Sequence, residues 1–511
     1  EDIDGIGFAT ADKIAQNAGL PQDSTFRIRA GLIYVLKTSC EKNGNTYLPK
    51  VMLLEEAAKA LELVLEDYQE KFQQAFDSPW VDNTEIVMLS KYYYYENSIA
   101  QKLVWLANCQ EEGKFDVDEE IASYESKNNI LLHEEQKNAI KGAINNGVFV
   151  ITGGPGTGKT TIIKCILEIL TAQQKTVSLV APTGRAAKRM SDSTGREAKT
   201  IHRLLEVNVI QSNESFFVHN ESNPLKTDVV IVDEVSMVDA ALMCALLKAM
   251  PRDCKLILVG DKDQLPSVGA GNVLADILES GVISYCMLTK IFRQGEKSLI
   301  ITNAHLINEG KMPLIDNTSM DFFFDSKNDP EVIKDTILEL VTTRLPKFLG
   351  VDPQTIQVLA PLKAGVCGIE NLNKVLQERI NPSSPDKRQV EFGRTIFREG
   401  DKVMQMSNNY DLEWKKHGRY ADEIGKGVFN GDIGIVSTID PNTSEVIVEF
   451  EDGRICLYTR PDLIDLSLSY AITIHKSQGS EFDTVIIPAI AGPSIILTRN
   501  LIYTAVTRAK K

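Results

Sequence analysis

Residues 153–160 read GGPGTGKT, and this stretch decides the fold. It stands between an apolar run typical of a buried strand, residues 148–151, and an apolar helical run, residues 161–170. The glycines let backbone amides converge on phosphate groups, Lys159 supplies a positive charge, and the Thr160 hydroxyl is a ligand suited to Mg²⁺. The stretch therefore predicts a phosphate-binding loop (P-loop) inside an α/β domain.

Two carboxylates stand at the end of a second apolar run. Asp233 and Glu234 directly follow VVIV at residues 229–232. Ligands of open α/β sheets bind at the carboxyl ends of the strands, so we expect both side chains beside the P-loop. There Asp233 would hold Mg²⁺, and Glu234 would orient or deprotonate the water that attacks ATP. The loop and the carboxylates together predict an ATPase.

The spacing of the apolar runs indicates two α/β lobes in tandem. Runs of this kind are typical of a parallel sheet that is covered by helices on both faces. They alternate with helical segments at residues 148–151, 177–180, 229–232 and 256–259, and a second group follows at 356–359 and 484–487. Residues 1 to about 110 are mostly helical by pattern, and the acidic, polar residues 111–129 are predicted to form an interdomain linker.

The bulk composition narrows the class of protein. A chain of 511 residues implies several domains, and 43% hydrophobic with 24% charged residues is typical of a soluble globular protein. No apolar run could cross a bilayer, no signal peptide is visible, and no Cys/His spacing suits zinc, so the eight cysteines are expected to be reduced. The net charge of −15 argues weakly against a nucleic-acid coat protein but allows one local basic groove. Because the chain begins with Glu1 rather than Met, we expect it to be part of a longer protein.

Four further stretches bear on the kind of ATPase. Gln264, in GDKDQLP, ends the next strand-like run, where its amide could sense the γ-phosphate. Arg293, in LTKIFRQ, and Arg508, in YTAVTR, lie far along the chain. An arginine that reaches the γ-phosphate from a second lobe stabilises the transition state and makes closure of the lobes depend on ATP. Residues 471–481 form a polar, hydroxyl-rich turn between apolar segments.

The order and spacing of these motifs resemble the superfamily 1 helicases, specifically the RecD-like branch, across most of the chain. LHEEQ at residues 132–136 resembles the adenine-reading Q motif of that family. APTGRAA at 181–187 and TIHRLL at 200–205 resemble its first-lobe DNA-contacting motifs. Residues 473–481 resemble the second-lobe motif that touches both DNA and nucleotide.

The resemblance implies roles for particular residues. The catalytic groups would be Lys159, Asp233, Glu234, Gln264 and the two arginine fingers Arg293 and Arg508. ATP would be held by Gln136, Gly154, Pro155, Gly156, Thr157, Gly158, Lys159, Thr160, Thr161, Gly479 and Glu481, and Mg²⁺ by Thr160 and Asp233. Phosphates of single-stranded DNA would be contacted, without sequence readout, by Thr183, Arg185, Thr200, His202, Thr473, His475 and Ser477.

The resemblance also implies a domain layout with two insertions. The fold class would be α/β, with two tandem RecA-like P-loop lobes, a small β-hairpin insertion, an SH3-like β-barrel insertion and a helical N-terminal domain. The expected ranges are 1–130 for the N-terminal region and linker, 131–290 for lobe 1A, and 291–396 with 464–511 for lobe 2A. Residues 206–227 would be the 1B hairpin, the pin that splits the duplex, and residues 397–463 the 2B barrel.

The turn DGIGFATADK at residues 4–13 leaves two interpretations open. Its glycines permit a tight turn with exposed amides before an apolar helix, which can hold a DNA phosphate as in helix-hairpin-helix modules. A simple connection between two helices has the same pattern. The resemblance favours the first interpretation, because the longer, stand-alone RecD-like helicases carry such modules before the motor.

The function implied by the resemblance is an ATP-dependent DNA helicase and single-strand translocase, 5′-to-3′, in DNA repair or recombination. We expect a monomer at single/double-strand junctions, in the cytoplasm with the nucleoid, with no membrane association. Two alternatives stay open: an ATP-driven remodeller that displaces proteins from DNA without productive unwinding, and the helicase part of a conjugative relaxase. The absence of a His cluster in residues 1–130 disfavours the relaxase. RNA as the track also stays open, because phosphate contacts discriminate poorly without a group that reads the 2′-OH.

Overall fold

The computed structural model describes residues 7–76, 80–82, 85–109, 116–209, 215–290, 292, 298–317, 319–418, 422–490 and 497–510. These residues form an N-terminal helical region, two parallel α/β sheets and one large antiparallel sheet. Across the described ranges, no helix combines the length and apolar character that a bilayer crossing needs.

The N-terminal region is mostly helical, as its pattern predicts, and also holds a small sheet. Its elements are α1 (Phe8–Asn17), α2 (Thr25–Asn43), β1 (Tyr47–Pro49), α3 (Lys50–Ala60), α4 (Gln69–Gln74), β2 (Trp80–Asp82), β3 (Ile86–Leu89) and α5 (Ser90–Asn108). The strands pair antiparallel in the order β1-β3-β2. The buried Arg27 of α2 forms an ion pair of 2.7 Å with Asp12 of α1, which fixes α1 against the α2 core.

The predicted linker is wrong over most of its length, because helix α6 (Val117–Asn128) lies there instead. Asp116 caps its first turn, and Val117, Ile121 and Tyr124 are buried against the first parallel sheet and its helices. Apolar residues at i, i+4 and i+7 form one face of a helix, and the acidic composition around them conceals that pattern. The acidic residues just before α6 lie outside the described ranges.

The first lobe is a six-stranded parallel sheet between two layers of helices. Its elements are α7 (Glu134–Asn145), β4 (Val148–Gly153), α8 (Lys159–Ala172), β5 (Val177–Ala181), α9 (Gly184–Thr194), β6 (Ala198–Thr200), α10 (Ile201–Leu205), β7 (Val207–Val209), β8 (Ser215–Phe217), β9 (Val229–Val232), α11 (Ala240–Ala249), β10 (Lys255–Gly260), α12 (Val273–Ser280) and β11 (Tyr285–Leu288). The sheet order is β11-β4-β10-β9-β5-β6. Alternate residues of β4 enter different cores: Val148 and Val150 pack on one face, Phe149 and Ile151 on the other.

The predicted hairpin insertion is present in this lobe. Strands β7 and β8 pair antiparallel between α10 and β9. The ring of Phe217, at the end of β8, lies 5.9 Å from the ring of His202 on α10. Residues 210–214, between the two strands, lie outside the described ranges.

The second half of the chain holds a smaller parallel sheet and a large antiparallel one. Its elements are α13 (Leu299–Asn308), α14 (Pro330–Glu339), α15 (Leu345–Leu349), β12 (Ile356–Ala360), α16 (Ile369–Ile380), β13 (Gln389–Phe392), β14 (Thr395–Arg398), β15 (Lys402–Gln405), β16 (Asn409–Lys416), β17 (Glu423–Val428), β18 (Ile433–Asp440), β19 (Glu445–Phe450), β20 (Arg454–Tyr458), β21 (Leu466–Leu468), β22 (Ala471–Thr473), β23 (Thr484–Ile486) and α17 (Arg499–Val506). The second lobe has a parallel sheet in the order β22-β12-β23. The antiparallel sheet, named the 2B sheet below, has the order β17-β16-β20-β19-β18-β15-β21.

The second lobe and the 2B sheet share one hydrophobic core. Ile356 and Val358 of β12 belong to the same buried cluster as Val403, Val448 and Tyr458 of the 2B sheet. The chain passes from β21, an edge strand of the 2B sheet, almost directly into β22 of the lobe. The two sheets are therefore joined through packing as well as through the chain.

Candidate nucleotide site and nucleic-acid interface

The P-loop has the backbone that its sequence predicts. Gly156 and Gly158 take φ values of 78° and 85°, in the left-handed region that favours glycine. The Lys159 ammonium donates to the carbonyl oxygens of Gly153, at 2.5 Å, and Gly154, at 3.0 Å. The charge is thus held at the mouth of the loop, where phosphate oxygens would offer stronger acceptors than the neutral carbonyls.

Gln136 lies against the P-loop. Its Oε1 accepts from the backbone N–H of His133, at 3.0 Å, and its Nε2 donates to the carbonyl oxygen of Thr157, at 3.4 Å. A Cβ on Gly158 would come within 2.3 Å of that Nε2, so glycine is required for this packing. Gln136 therefore braces the loop from α7, and its contact with adenine stays a prediction.

The segment before Arg293 is tied to the same site, although Arg293 itself lies outside the described residues. The Glu135 carboxylate accepts from the backbone N–H of Thr289, at 2.8 Å, and of Lys290, at 3.1 Å. The backbone N–H of Phe292 donates to the carbonyl oxygen of Gly156, at 2.8 Å. These bonds bring the chain that carries Arg293 to the rim of the P-loop.

Asp233 and Glu234 lie at the carboxyl end of β9, as predicted, with 8% and 5% of their surface exposed. Glu234 has a φ of 52°, a strained value for a residue with a side chain. Burial, together with the neighbouring Glu234 charge, raises the pKa of Asp233. Burial alone would also raise the pKa of Glu234, but the charges of Arg189, Arg508 and Lys159 hold it below its usual value. One carboxylate is thus kept ionised beside another that is harder to ionise.

Arg189 of α9 is a site residue that the sequence did not reveal. Its Nη2 lies 2.5 Å from Oε1 of Glu234 and 3.9 Å from Oδ2 of Asp233, and its Nη1 lies 3.4 Å from Oε1 of Glu481. A signal was present, because Arg189 stands four residues after Arg185, on the same face of a helix that begins at the ligand-binding edge. In the sequence, the position of Arg189 is typical of a residue on the solvent-exposed face of a helix.

Gln264 and Asp261 follow β10 at the same edge. The Gln264 amide donates to Oδ2 of Asp261, at 3.1 Å, while its own Oε1 is buried without a hydrogen-bond partner among the described residues. Burial raises the pKa of Asp261, which is 1% exposed. A buried amide oxygen without a partner costs free energy unless a donor arrives, and an attacking water molecule is one donor that fits.

The second lobe reaches this edge through three hydrogen bonds. Oη of Tyr503 donates to Oδ2 of Asp261, at 2.8 Å. The backbone N–H of Leu265 donates to Oγ1 of Thr504, at 2.9 Å, and Nε2 of Gln478 donates to the carbonyl oxygen of Leu265, at 2.9 Å. The segment that carries Gln264 is therefore held between the lobes. A movement of this segment on nucleotide binding would displace its partners in the second lobe.

Arg508, the predicted second arginine finger, is 3% exposed and is bonded inside its own lobe. It donates to the carbonyl oxygens of Thr504 and Ser480, both at 3.2 Å, and to Oγ1 of Thr507, at 3.4 Å. Burial lowers its pKa, although the Glu234 charge opposes this. Its charge lies close enough to act on Glu234, and its contact with the γ-phosphate stays a prediction.

The predicted DNA-contacting residues of the first lobe lie at helix starts. Oγ1 of Thr183 caps α9, and Oγ1 of Thr200 caps α10. A Cβ on Gly479 of the second lobe would lie 3.0 Å from Oγ1 of Thr183, so motifs of both lobes meet there. Nη2 of Arg185 forms an ion pair of 3.0 Å with Glu451, in the turn that follows β19 of the 2B sheet, while its Nη1 is buried without a hydrogen-bond partner among the described residues.

The predicted residues of the second lobe differ in accessibility. His475 is exposed, whereas Thr473 is buried and accepts from the backbone N–H of Lys476 at 3.3 Å. Ser477 is fully buried and donates to the carbonyl oxygen of Ile474, at 2.7 Å, so its hydroxyl is used inside the turn. On the first lobe, burial lowers the pKa of His202, which suits a neutral hydrogen-bonding role. The DNA contacts of these residues stay predictions.

Lys363 is a second residue that the sequence did not single out. It is exposed and follows β12, and its charge, together with burial, lowers the pKa of Lys476. The segment APLKA at residues 360–364 stands after β12 as APTGR at 181–185 stands after β5. This similarity between the lobes was the available signal, and it places a cation at the edge where the second lobe would meet DNA.

Family models match four parts of the chain. They are described as an AAA domain for residues 136–270, an ATP-dependent RecD-like DNA helicase SH3 domain for 372–450, a UvrD-like helicase C-terminal domain for 468–511, and an ATP-dependent RecD2 DNA helicase HHH domain for 1–47. The SH3 match runs from α16 to the end of β19 and so includes five of the seven strands of the 2B sheet, and the HHH match falls on the first N-terminal helices.

Known relatives match the whole of the chain or about three quarters of it. The ATP-dependent RecD2 DNA helicase of Deinococcus radiodurans is 32% identical over 524 aligned positions, which cover 100% of this chain and 68% of that protein. The RecBCD enzyme subunit RecD of Mycolicibacterium smegmatis is 32% identical over 413 positions, which cover 74% of this chain and 69% of that one. A solved structure of Pif1 helicase from Bacteroides, in complex with ADP-AlF3 and ssDNA, is 21% identical, with 75% of this chain and 91% of that chain covered and a TM-score of 0.43.

These findings confirm the predicted fold class and favour the helix-hairpin-helix interpretation of the N-terminal turn. The residue ranges given to the domains stay predictions. Full-length identity to a RecD2 helicase and matches to two RecD-specific domains agree with the motif order in the motor. The chain therefore belongs to the RecD-like family of superfamily 1, in its stand-alone RecD2 type, and is an ATP-dependent DNA helicase.

Proposed function

We propose that this helicase moves 5′-to-3′ along single-stranded DNA, opens the duplex at single/double-strand junctions, and serves DNA repair or recombination as a monomer in the cytoplasm. The polarity and the pathway rest on the family resemblance. The observation that carries the motor mechanism is the set of three hydrogen bonds from the second lobe onto Asp261 and Leu265. They join the γ-phosphate edge of one lobe to the body of the other.

In this mechanism the residues of the first lobe bind and activate ATP. Lys159 exchanges its carbonyl partners for phosphate oxygens, and Glu234 accepts a proton from the attacking water. Mg²⁺, held by the Thr160 hydroxyl and the Asp233 carboxylate, would neutralise phosphate charge. Asp233 suits this role because it is buried and close enough to Lys159 to interact with its charge. A ligand of a metal ion that binds the same phosphates as Lys159 must lie near that lysine.

The second lobe converts the state of the nucleotide into movement. Arg508 leaves its carbonyl acceptors for the γ-phosphate when the lobes close, and returns to them when hydrolysis removes that charge. Directed stepping follows if each lobe grips DNA with different strength in the two states, because the cycle then moves the grips in a fixed order. The hairpin β7–β8, at the edge of the first lobe, is proposed as the pin that meets the duplex.

The polarity is tested with duplexes that carry a 5′ tail, a 3′ tail or no tail, under single-turnover conditions with a trap strand. We expect strand separation only with the 5′ tail and ATP, and none with Lys159→Ala. Lys164→Ala, an exposed lysine on the same helix, is the matched control and should unwind normally. Preference for a 3′ tail would refute the proposed direction.

The pin is tested by replacing residues 207–217 with a short Gly-Ser turn. The variant should lose unwinding of the 5′-tailed duplex while DNA-stimulated ATP hydrolysis remains. The same variant is then given a single strand blocked by streptavidin on a biotinylated end. Continued displacement of streptavidin would show an intact translocase, whereas retained unwinding would remove the pin role from β7–β8.

A further inference from the structure

Arg189 connects three parts of the site through one guanidinium. It lies within ion-pair distance of Glu234 and Asp233 in the first lobe and of Glu481 in the second. About a third of the Arg189 side chain is exposed, whereas Glu234 is almost fully enclosed. The shortest of these distances, 2.5 Å, joins Nη2 to Oε1 of Glu234, so the pair with the proposed base dominates.

The position of Arg189 links the base to the DNA-facing start of α9. The side chain of Thr183 caps α9 just before its first residue, Gly184, and Arg189 stands six residues after Thr183, about 9 Å along the axis. The start of α9 is held by the 2B sheet: Arg185 pairs with Glu451, and a Cβ on Gly184 would lie 3.1 Å from Phe429. A DNA phosphate bound at this end of α9 would compete for the same groups, and any resulting shift of this short helix would also move Arg189, which lies in its second turn.

The chemistry of the pair bears on hydrolysis. A general base must present a carboxylate oxygen to water, and one of the two carboxylate oxygens of Glu234, Oε1, is held by Arg189. A guanidinium has only donors, so it cannot pass the proton on. While the pair holds, Arg189 occupies Oε1 of Glu234 and thereby sets the orientation of the carboxylate.

We infer that Arg189 is a positioning residue that keeps Glu234 masked until DNA engages the start of α9, and that it thereby makes ATP hydrolysis depend on DNA. The inference rests on the proposed function, since it assigns the coupling in a motor stimulated by single strands. In this inference Arg189 restrains ATP hydrolysis in the absence of DNA. The pair that changes, Arg189 with Glu234, lies inside the first lobe.

The test measures kcat and KM for ATP without DNA and with saturating oligo-dT, for wild type, Arg189→Gln and Arg189→Lys. We expect Arg189→Gln to raise the DNA-free kcat about fivefold, the scale of losing a partly exposed ion pair, while the DNA-saturated kcat stays within about twofold of wild type. Arg189→Lys keeps the charge and should restore most of the restraint. Lys188→Gln, an exposed cation next to Arg189 on α9, is the matched control and should leave both rates unchanged.

The outcomes separate the inference from the proposed function. Equal losses of kcat with and without DNA in Arg189→Gln would overturn the inference, because they show a residue that supports catalysis or folding. An unchanged ratio of the two rates would overturn it as well. A wild-type enzyme that single strands do not stimulate would overturn the proposed motor and the inference together. Thermal unfolding of each variant shows whether a lost rate reflects a lost fold.

Discussion

The two parallel lobes differ in how their cores are built. In the described residues, the parallel sheet of the first lobe has six strands and a separate hydrophobic core on each face. The second has three strands, and its main core is continuous with that of the 2B sheet. The core of the first lobe is thus largely its own, whereas the second lobe and the 2B sheet pack around one common core.

The edges of the two lobes differ in the same sense. After β5 the first lobe places Thr183 and Arg185, and after β12 the second places Lys363 at the corresponding point. The first lobe adds the P-loop and the carboxylates, while the second adds the donors Tyr503 and Arg508. The comparison indicates that the chemistry resides in one lobe and that the other responds to it.

The largest effect on ATP hydrolysis should come from Glu234, and its comparison is Glu481, the second-lobe glutamate that also pairs with Arg189. Glu234→Gln removes the proposed base and should lower DNA-stimulated kcat about 10³-fold while nucleotide still binds. Glu481→Gln removes a longer pair to Arg189, 3.4 Å away, together with a predicted ATP contact, and should lower kcat less than about tenfold. Steady-state ATPase and binding of a fluorescent ADP check both variants. Similar losses in the two variants would contradict a division of roles between the lobes.

Core substitutions should reveal the shared packing of the second lobe. Ile231→Ala in β9 and Val358→Ala in β12 each empty a fully buried site, at a cost of about 2–4 kcal/mol in local stability. We expect Ile231→Ala to speed hydrogen exchange only in the first lobe. Val358→Ala should speed it in β12 and also in β15 and β19, because these strands share its core. Val332→Ala, on the exposed side of α14, is the control. Protection of the 2B sheet unaltered by Val358→Ala would show that its core is independent.

The hydrogen bond between the lobes should have a smaller, kinetic effect. Tyr503→Phe deletes the donor to Asp261 and should lower DNA-stimulated kcat about tenfold, with the KM for ATP changed less. Tyr470→Phe is a close match, because Oη of Tyr470 also donates to a buried carboxylate, Asp401, at 3.0 Å, but within the second lobe and the 2B sheet. The Tyr470→Phe variant should lose about as much stability as Tyr503→Phe but keep the kcat of the wild type. Equal kinetic losses in both would trace the effect to stability.

The sequence predicted those parts of the site that lie on short, contiguous motifs. The P-loop and the pair Asp233 and Glu234 do lie at strand ends, because apolar runs mark the strands clearly in the sequence, while their catalytic roles stay predictions. The hairpin and the 2B sheet were recognised from alternating β runs and from the family resemblance.

The missed features depend on distant contacts or on concealed patterns. Tyr503 and Asp261 are 242 residues apart, and nothing local distinguishes that tyrosine from a core residue. Arg189 resembles a solvated helix position until the fold brings Glu234 and Glu481 to it. Helix α6 was taken for a linker because its acidic composition outweighed three spaced apolar residues.

The smallest effects should appear at the DNA edges of the lobes. In the described residues no carboxylate lies within ion-pair distance of Lys363, whereas Arg185 must first leave Glu451 to bind a phosphate. Lys363→Ala should therefore weaken binding of oligo-dT by about 1 kcal/mol and reduce the salt slope by about 0.7, as loss of one phosphate contact does on single strands. Arg185→Ala should weaken binding less.

The competing ion pair supplies the control for this comparison. Glu451→Gln frees Arg185 without touching Lys363, so it should tighten binding and steepen the salt dependence only when Arg185 is present. Fluorescence anisotropy over a range of KCl concentrations measures the affinity for oligo-dT of the wild type, the three single variants and the Arg185→Ala, Glu451→Gln double variant. If Glu451→Gln had no effect on affinity, the Arg185 pair would not compete with DNA. Arg185 of the first lobe and Lys363 of the second lobe would then both be available to the DNA strand without the loss of an ion pair.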